Sequence, residues 1–289
     1  MRTNTDAGFD IEVRSGRVVG HVHLPEGEPS GVVMVHPATA TPERFYAGFA
    51  EYLTGRGLAA VTYDLHGTGA SGHPRDHRGT RMRDWMSQDV PAVAAWTRDR
   101  FAGLPLFAIG HSLGGHAMVL GHGLEGVERF VTVASHLAST RRIASAAERM
   151  RVAAVLNVVG PSLSRTFGYM PARRLGLGED MPAGAMLEWG RWSRNDGYFF
   201  DDPTMGAVEA AARVTVPALM VGASDDPWGS PAQVDALAAR LASAPVVRRT
   251  FTPAELGLSK IGHHGLMRRD VGDRAWPELV DWLTGGRAS

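Results

Sequence analysis

The chain has 289 residues, 44% hydrophobic and 21% charged, a balance that suits an ordinary globular protein and argues against disorder. Thirty basic residues offset thirty acidic ones, leaving no excess to hold nucleic acid or an anionic membrane. Cysteine is absent, which excludes disulfides, thiolate metal sites and a cysteine nucleophile.

The segment from Met1 to Ser15 mixes charged and polar residues and lacks the apolar stretch of a signal sequence. No run approaches the roughly 18 apolar residues of a membrane span, so a soluble cytoplasmic protein is expected. Residues 32–35, 59–63, 106–109 and 130–133 are short, continuous apolar runs, the pattern of strands buried on both faces of a parallel sheet. Between them, residues 43–56 place Phe45, Phe49, Tyr52 and Leu53 on one helical face, and residues 82–101 do the same with Trp85, Val93 and Trp96. Strands alternating with helices imply an open α/β sheet with right-handed crossovers. From 136 to 212 the rhythm breaks into a block without a clear strand, too apolar for a linker. It resumes with strands at 216–221 and 246–251 and helices at 231–241 and 273–283. The expected organisation is an α/β core from 1–135 and 213–289, with 136–212 inserted as a helical lid.

Gly110-His111-Ser112-Leu113-Gly114 has the form G-x-S-x-G, directly after the strand at 106–109 and directly before a helix-like run. In that context the serine sits on a strained turn and its oxygen projects above the sheet. Flanking glycines are needed where a Cβ would crowd the neighbouring strand and helix. The Leu113 N–H then points at a developing oxyanion.

These features resemble the α/β-hydrolase superfamily along nearly the whole chain. Gly-His-Ser-Leu-Gly-Gly (110–115) is that family's commonest elbow wording, and the stretch from Asp64 to Ser71 is similar to its D-x-R-G-x-G-x-S loop. More narrowly, the chain resembles a group of bacterial predicted hydrolases related to the serine-aminopeptidase-like branch. His36-Pro37-Ala38-Thr39, Trp192 with Arg194 and Tyr198, Ser224-Asp225-Asp226-Pro227 and Ile261-Gly262-His263-His264-Gly265 carry that resemblance.

The resemblance implies the order Ser, acid, His. A serine hydroxyl needs an imidazole to take its proton, and His263, following glycine after the last strand, is the expected base, with His264 the adjacent alternative. Two aspartates compete to orient it: Asp226, followed by Pro227 and Trp228, is preferred, and Asp225 is the alternative. The second oxyanion donor belongs to the loop after residue 35. Pro37 has no N–H, so Ala38 is expected there, with Thr39 next in line.

Two further patterns suggest other chemistry. Gly67-Thr68-Gly69-Ala70-Ser71-Gly72 fits G-x-G-x-x-G, but a loop follows it rather than a helix. His21 and His23 share one strand face, yet no third metal ligand stands at useful spacing. Neither a metal nor an organic cofactor is implied. The expected activity is hydrolysis of an ester or thioester of an apolar acyl compound through Ser112, His263 and Asp226, with Leu113 and Ala38 as oxyanion donors. Acyl transfer to another nucleophile, or a ligand receptor on the same fold, are the rival readings. The expected partner is a small-molecule substrate, without nucleic acid or membrane; oligomeric state is not legible.

Overall fold

The computed structural model describes residues 4–285; the first three and last four residues of the expected core segments lie outside that range. Eight strands form one sheet in the order β1-β2-β4-β3-β5-β6-β9-β10. These are β1 (Asn4–Val13), β2 (Gly16–Leu24), β3 (Val32–His36), β4 (Ala59–Asp64), β5 (Leu106–His111), β6 (Val127–Val133), β9 (Ala218–Ala223) and β10 (Val246–Phe251). From β4 to β10 all neighbours run parallel, while β1 and β2 form an antiparallel hairpin at one edge. The architecture is an open, mostly parallel α/β sheet, as the alternation of strands and helices predicts.

Side-chain alternation explains why the central strands read as unbroken apolar runs. Val32 and Met34 of β3, Val61 and Tyr63 of β4 and Ala108 of β5 enter one core. Their neighbours Val33, Val35, Ala60, Phe107 and Ile109 enter the other, beneath the helix at Trp276–Thr284. Each face hides its residues from water, so most positions are apolar and the few polar ones, such as Thr62, are buried. The hairpin strand β1 escapes the same reading because only one face is covered: Phe9 is buried while Asp10 is exposed.

The stretch expected as one helix over 82–101 is instead three pieces: Met82–Asp84, a π-helical turn Trp85–Asp89, and Val90–Arg100. Pro91 lacks an N–H and its ring would strike the carbonyl four residues back. The chain widens just before it, with Val90 N–H bonding Trp85 O. Pro161 has the same effect, preceded by a π-helical turn Val155–Val159 in which Gly160 N–H bonds Val155 O.

The segment between β6 and β9 holds helices Ala146–Ala154, Gly160–Phe167 and Ala183–Ser193, with several single turns. It also contains a two-residue ribbon, β7 (Tyr169–Met170) with β8 (Met181–Pro182), too short to show as strand in the sequence. Arg83 ties the segment to the core, bonding Glu188 Oε1 and Asp202 Oδ2 at 2.7 Å each. Among the described residues no helix is long and apolar enough to cross a membrane.

Candidate active site

Strand β5 delivers Ser112 at its carboxyl end, and the helix Leu113–Val119 starts at the next residue. Ser112 has φ 49°, a conformation rare for a residue with a side chain and characteristic of stored strain. Surrounding contacts hold it there. Its N–H donates to Val133 O at 2.8 Å, and its carbonyl accepts from Ser135 Oγ at 2.8 Å and from His116 N–H at 3.1 Å. A Cβ on Gly110 would collide with the backbone of Gly114 and Gly115, and one on Gly114 with His36 of β3. The glycines therefore let the turn close against the adjoining strand.

The two aspartates after β9 are separated by what they touch. Asp226 Oδ2 accepts from His263 Nδ1 at 2.7 Å, and its Oδ1 accepts from Trp228 N–H at 2.8 Å. Asp225 instead accepts from the N–H groups of Ile261 (2.9 Å) and Gly262 (3.1 Å), fixing the loop on which His263 stands. Burial works to raise the Asp226 carboxyl, but the charge and hydrogen bond of His263 prevail and hold it well below the usual carboxylate range. His264 turns aside toward Thr41 and Phe45, and burial pushes its imidazole down to about 4.

Ser112, Leu113, Thr39 and His263 line one cavity of about 470 Å³. Trp189 and Tyr198 of the inserted segment also wall it, together with His116, His136 and Ser139. A second cavity of about 560 Å³ shares Val152, Leu156, Trp189 and Trp228 with the first. Its remaining walls include Met170, Met181 and Met186, and Arg151 is its one charged residue.

The Ala38 N–H is not free to meet an oxyanion, because it donates to Tyr46 Oη at 2.8 Å inside the core. Tyr46 in turn donates to His111 Nδ1 at 3.0 Å, and His111 Nε2–H reaches His263 O at 3.4 Å. This buried relay joins the loop after β3, the turn at Ser112 and the loop of His263. Desolvation keeps His111 far below its ordinary range, hence neutral and able to bridge in this way. Thr39, the next residue, lines the cavity in place of Ala38. No sequence signal marked Tyr46, which sits in a helical turn eight residues from the N–H it holds.

The glycine-rich and histidine patterns have structural uses. In the Gly67–Gly72 loop the Asp64 carboxylate accepts from Glu43 N–H and Ala70 N–H, and Ser71 Oγ bonds both Asp64 O and β2. His21 pairs with Glu43 and His23 with Thr62. Among the described residues no group of three His, Cys, Asp or Glu is placed to hold a metal.

Comparison with known proteins agrees with this architecture. The family model described as serine aminopeptidase, S33, a hydrolase family, matches residues 27–254. The chain belongs to this family. As a member it is an α/β-hydrolase enzyme, and solved structures share its fold at low sequence identity. A monoglyceride lipase from Saccharomyces cerevisiae is 14% identical with a TM-score of 0.67, matching 100% of this chain and 99% of its own. Paleococcus ferrophilus monoacylglycerol lipase is 18% identical, TM-score 0.58, over 90% and 96% of the two chains. A thermostable carboxyl esterase from Bacillus coagulans is 16% identical, TM-score 0.63, over 96% and 98%. No curated protein matches the chain in sequence. Within the hydrolase, Trp192 of the resemblance is fully buried and donates to Asp202 at 2.8 Å, a packing role, whereas Tyr198 reaches the cavity.

Proposed function

We propose that this hydrolase cleaves an ester or thioester of an apolar acyl compound through an acyl-enzyme on Ser112. The observation that carries the reading is His263: its Nδ1–H is held by Asp226 at 2.7 Å while its ring borders the Ser112 cavity. With Nδ1 protonated, Nε2 keeps its lone pair to take the Ser112 proton as Oγ attacks the carbonyl carbon. The N–H groups of Leu113 and Thr39 stabilise the resulting oxyanion. His263 then protonates the departing alcohol or thiol, and water, deprotonated by the same imidazole, releases the acid. Residues 136–212 act as a lid, roofing the cavity with Ile143, Leu156, Trp189 and Tyr198.

The apolar second cavity supports an apolar acyl group, and the lipase and esterase neighbours agree with ester chemistry. No carboxylate lines either cavity among the described residues, so the ammonium of an aminopeptide would find no counter-ion. That favours an ester over a peptide. Intact-mass spectrometry after fluorophosphonate exposure tests the nucleophile. One adduct is expected on the wild type and none on Ser112→Ala, with loss of p-nitrophenyl ester turnover by at least about 10³-fold. Turnover retained by the variant would sink the mechanism.

A further inference from the structure

The walls of the Ser112 cavity are mostly apolar, yet two hydroxyls within them lack the partners that buried hydroxyls ordinarily have. Ser139 lines the cavity at 1% exposure, and its Oγ has no hydrogen-bond partner among the described residues. Tyr198 lines it at 1% exposure too, and its hydroxyl makes no hydrogen bond to another described residue. Burial and Glu188 both raise its pKa, so it stays a neutral donor. Neighbouring hydroxyls contrast with these. Thr140 Oγ1 donates to Ser193 O at 2.9 Å and Ser135 Oγ to Ser112 O at 2.8 Å.

Backbone geometry adds a second observation. Tyr198 has φ 58°, in the left-handed region that disfavours side chains, and it is held there by rings on several sides. Its ring packs 5.5 Å from His116 and 5.7 Å from Trp192. A residue strained into the wall of a reaction cavity with an unpaired polar tip is a pattern of ligand sites, not of packing.

We propose that Ser139 and Tyr198 form a subsite for a second oxygen of the substrate, a carbonyl or hydroxyl oxygen on its acyl part that accepts hydrogen bonds. The proposal rests on the hydrolase reading above. It assigns the oxygen to the acyl part for a geometric reason. His263, which must protonate the leaving group, borders both this cavity and an open cleft lined by Lys260, His264 and Arg268. The leaving group departs on that open side, so the acyl group occupies the enclosed wall where Ser139 and Tyr198 stand. A site that leaves such hydroxyls unpaired discriminates strongly against an analogue lacking the oxygen, much more than an apolar wall discriminates by size.

The test compares p-nitrophenyl 4-oxopentanoate and 5-oxohexanoate with the pentanoate and hexanoate, each rate divided by the ester's own hydroxide rate. For the wild type, kcat/KM is expected to favour one oxo ester by tenfold or more over its plain counterpart. Tyr198→Phe and Ser139→Ala, both small changes that keep shape, should each cut that ratio at least threefold. The readout is the ratio, which general damage to the site would leave alone. Equal rates on oxo and plain esters in the wild type, or a ratio that survives both substitutions, would overturn the subsite. A wild type that takes no fluorophosphonate adduct and turns over none of the esters would overturn the hydrolase reading and the subsite with it.

Discussion

Asp225 and Asp226 are adjacent and chemically identical, so their difference lies wholly in direction. Asp226 sits 2.7 Å from the imidazole, with its side chain fully buried; Asp225 caps the N–H groups of Ile261 and Gly262. Asp226→Asn keeps the shape but frees the His263 tautomer, and kcat on a p-nitrophenyl ester should fall by about 10³- to 10⁴-fold. Asp225→Asn should act mainly on stability, at about 1–2 kcal/mol, because one amide oxygen replaces two carboxylate oxygens toward the loop. Steady-state kinetics beside urea melts of both variants would separate them, and a larger kcat loss from Asp225→Asn would reverse the assignment. At the same scale, the Ala38 N–H is taken by a side chain from another element. Which N–H of the loop after β3 stays free depends on Tyr46, and nothing in the pattern of residues 36–39 reports a hydroxyl at 2.8 Å.

Between elements, the inserted segment is joined to the core by charge as well as by packing. Arg83 lies at the start of a core helix and is mostly buried between Glu188 and Asp202, while Trp192 also donates to Asp202. Removing the arginine leaves two near-buried carboxylates with the exposed Arg191 as their remaining ion-pair partner among the described residues. Arg83→Met should cost about 3 kcal/mol of stability. It should also loosen the segment before the core, read as earlier proteolysis within 136–212 under native conditions; a variant cleaved no faster than wild type would show that packing alone holds it. Trp228 makes a second connection, with its Nε1–H on Glu148 Oε1 at 2.7 Å and its ring 4.9 Å from His263. Both π-helical turns precede prolines, so the helix widening that shapes the Val155–Val159 wall follows from Pro161, a consequence visible in sequence only once the segment is known to be helical.

Over the whole molecule, the unusual store of buried neutral histidine should govern the response to acid. Burial lowers His36 and His116 to about 3, and His136 and His264 to about 4. Above about pH 6.5 these groups are neutral folded or unfolded and cost nothing. Below it the unfolded chain takes up protons that the folded one refuses, so stability falls with pH until the folded values are reached. Each contributes about 1.4 kcal/mol per pH unit, and the four together about 5 kcal/mol per unit. Glu43 and Asp89, raised by burial, oppose this only in the acid range near their own ordinary values. Calorimetry should find Tm level from pH 9 to 7 and falling steeply between 6 and 4; a level Tm down to pH 4 would mean these histidines reach solvent or counter-ions.

The sequence alone determined the six parallel strands, their crossovers and the elbow turn at Ser112, because each rests on short-range constraints; the β1–β2 hairpin, covered on one face, leaves no such apolar run. Side-chain period, strand length and the need for glycine at a turn are all written within a few residues. The resemblance added the expected order of serine, acid and histidine along the chain, with Asp225 and Asp226 both open as the acid. Tertiary structure decided everything that depends on which distant groups meet: Asp226 rather than Asp225 toward His263, the loss of the Ala38 N–H to Tyr46, and the Ser139 and Tyr198 hydroxyls in one cavity. Hydrogen bonds act over about 3 Å, and no local pattern records which of two neighbouring side chains will come within that distance of a loop far along the chain.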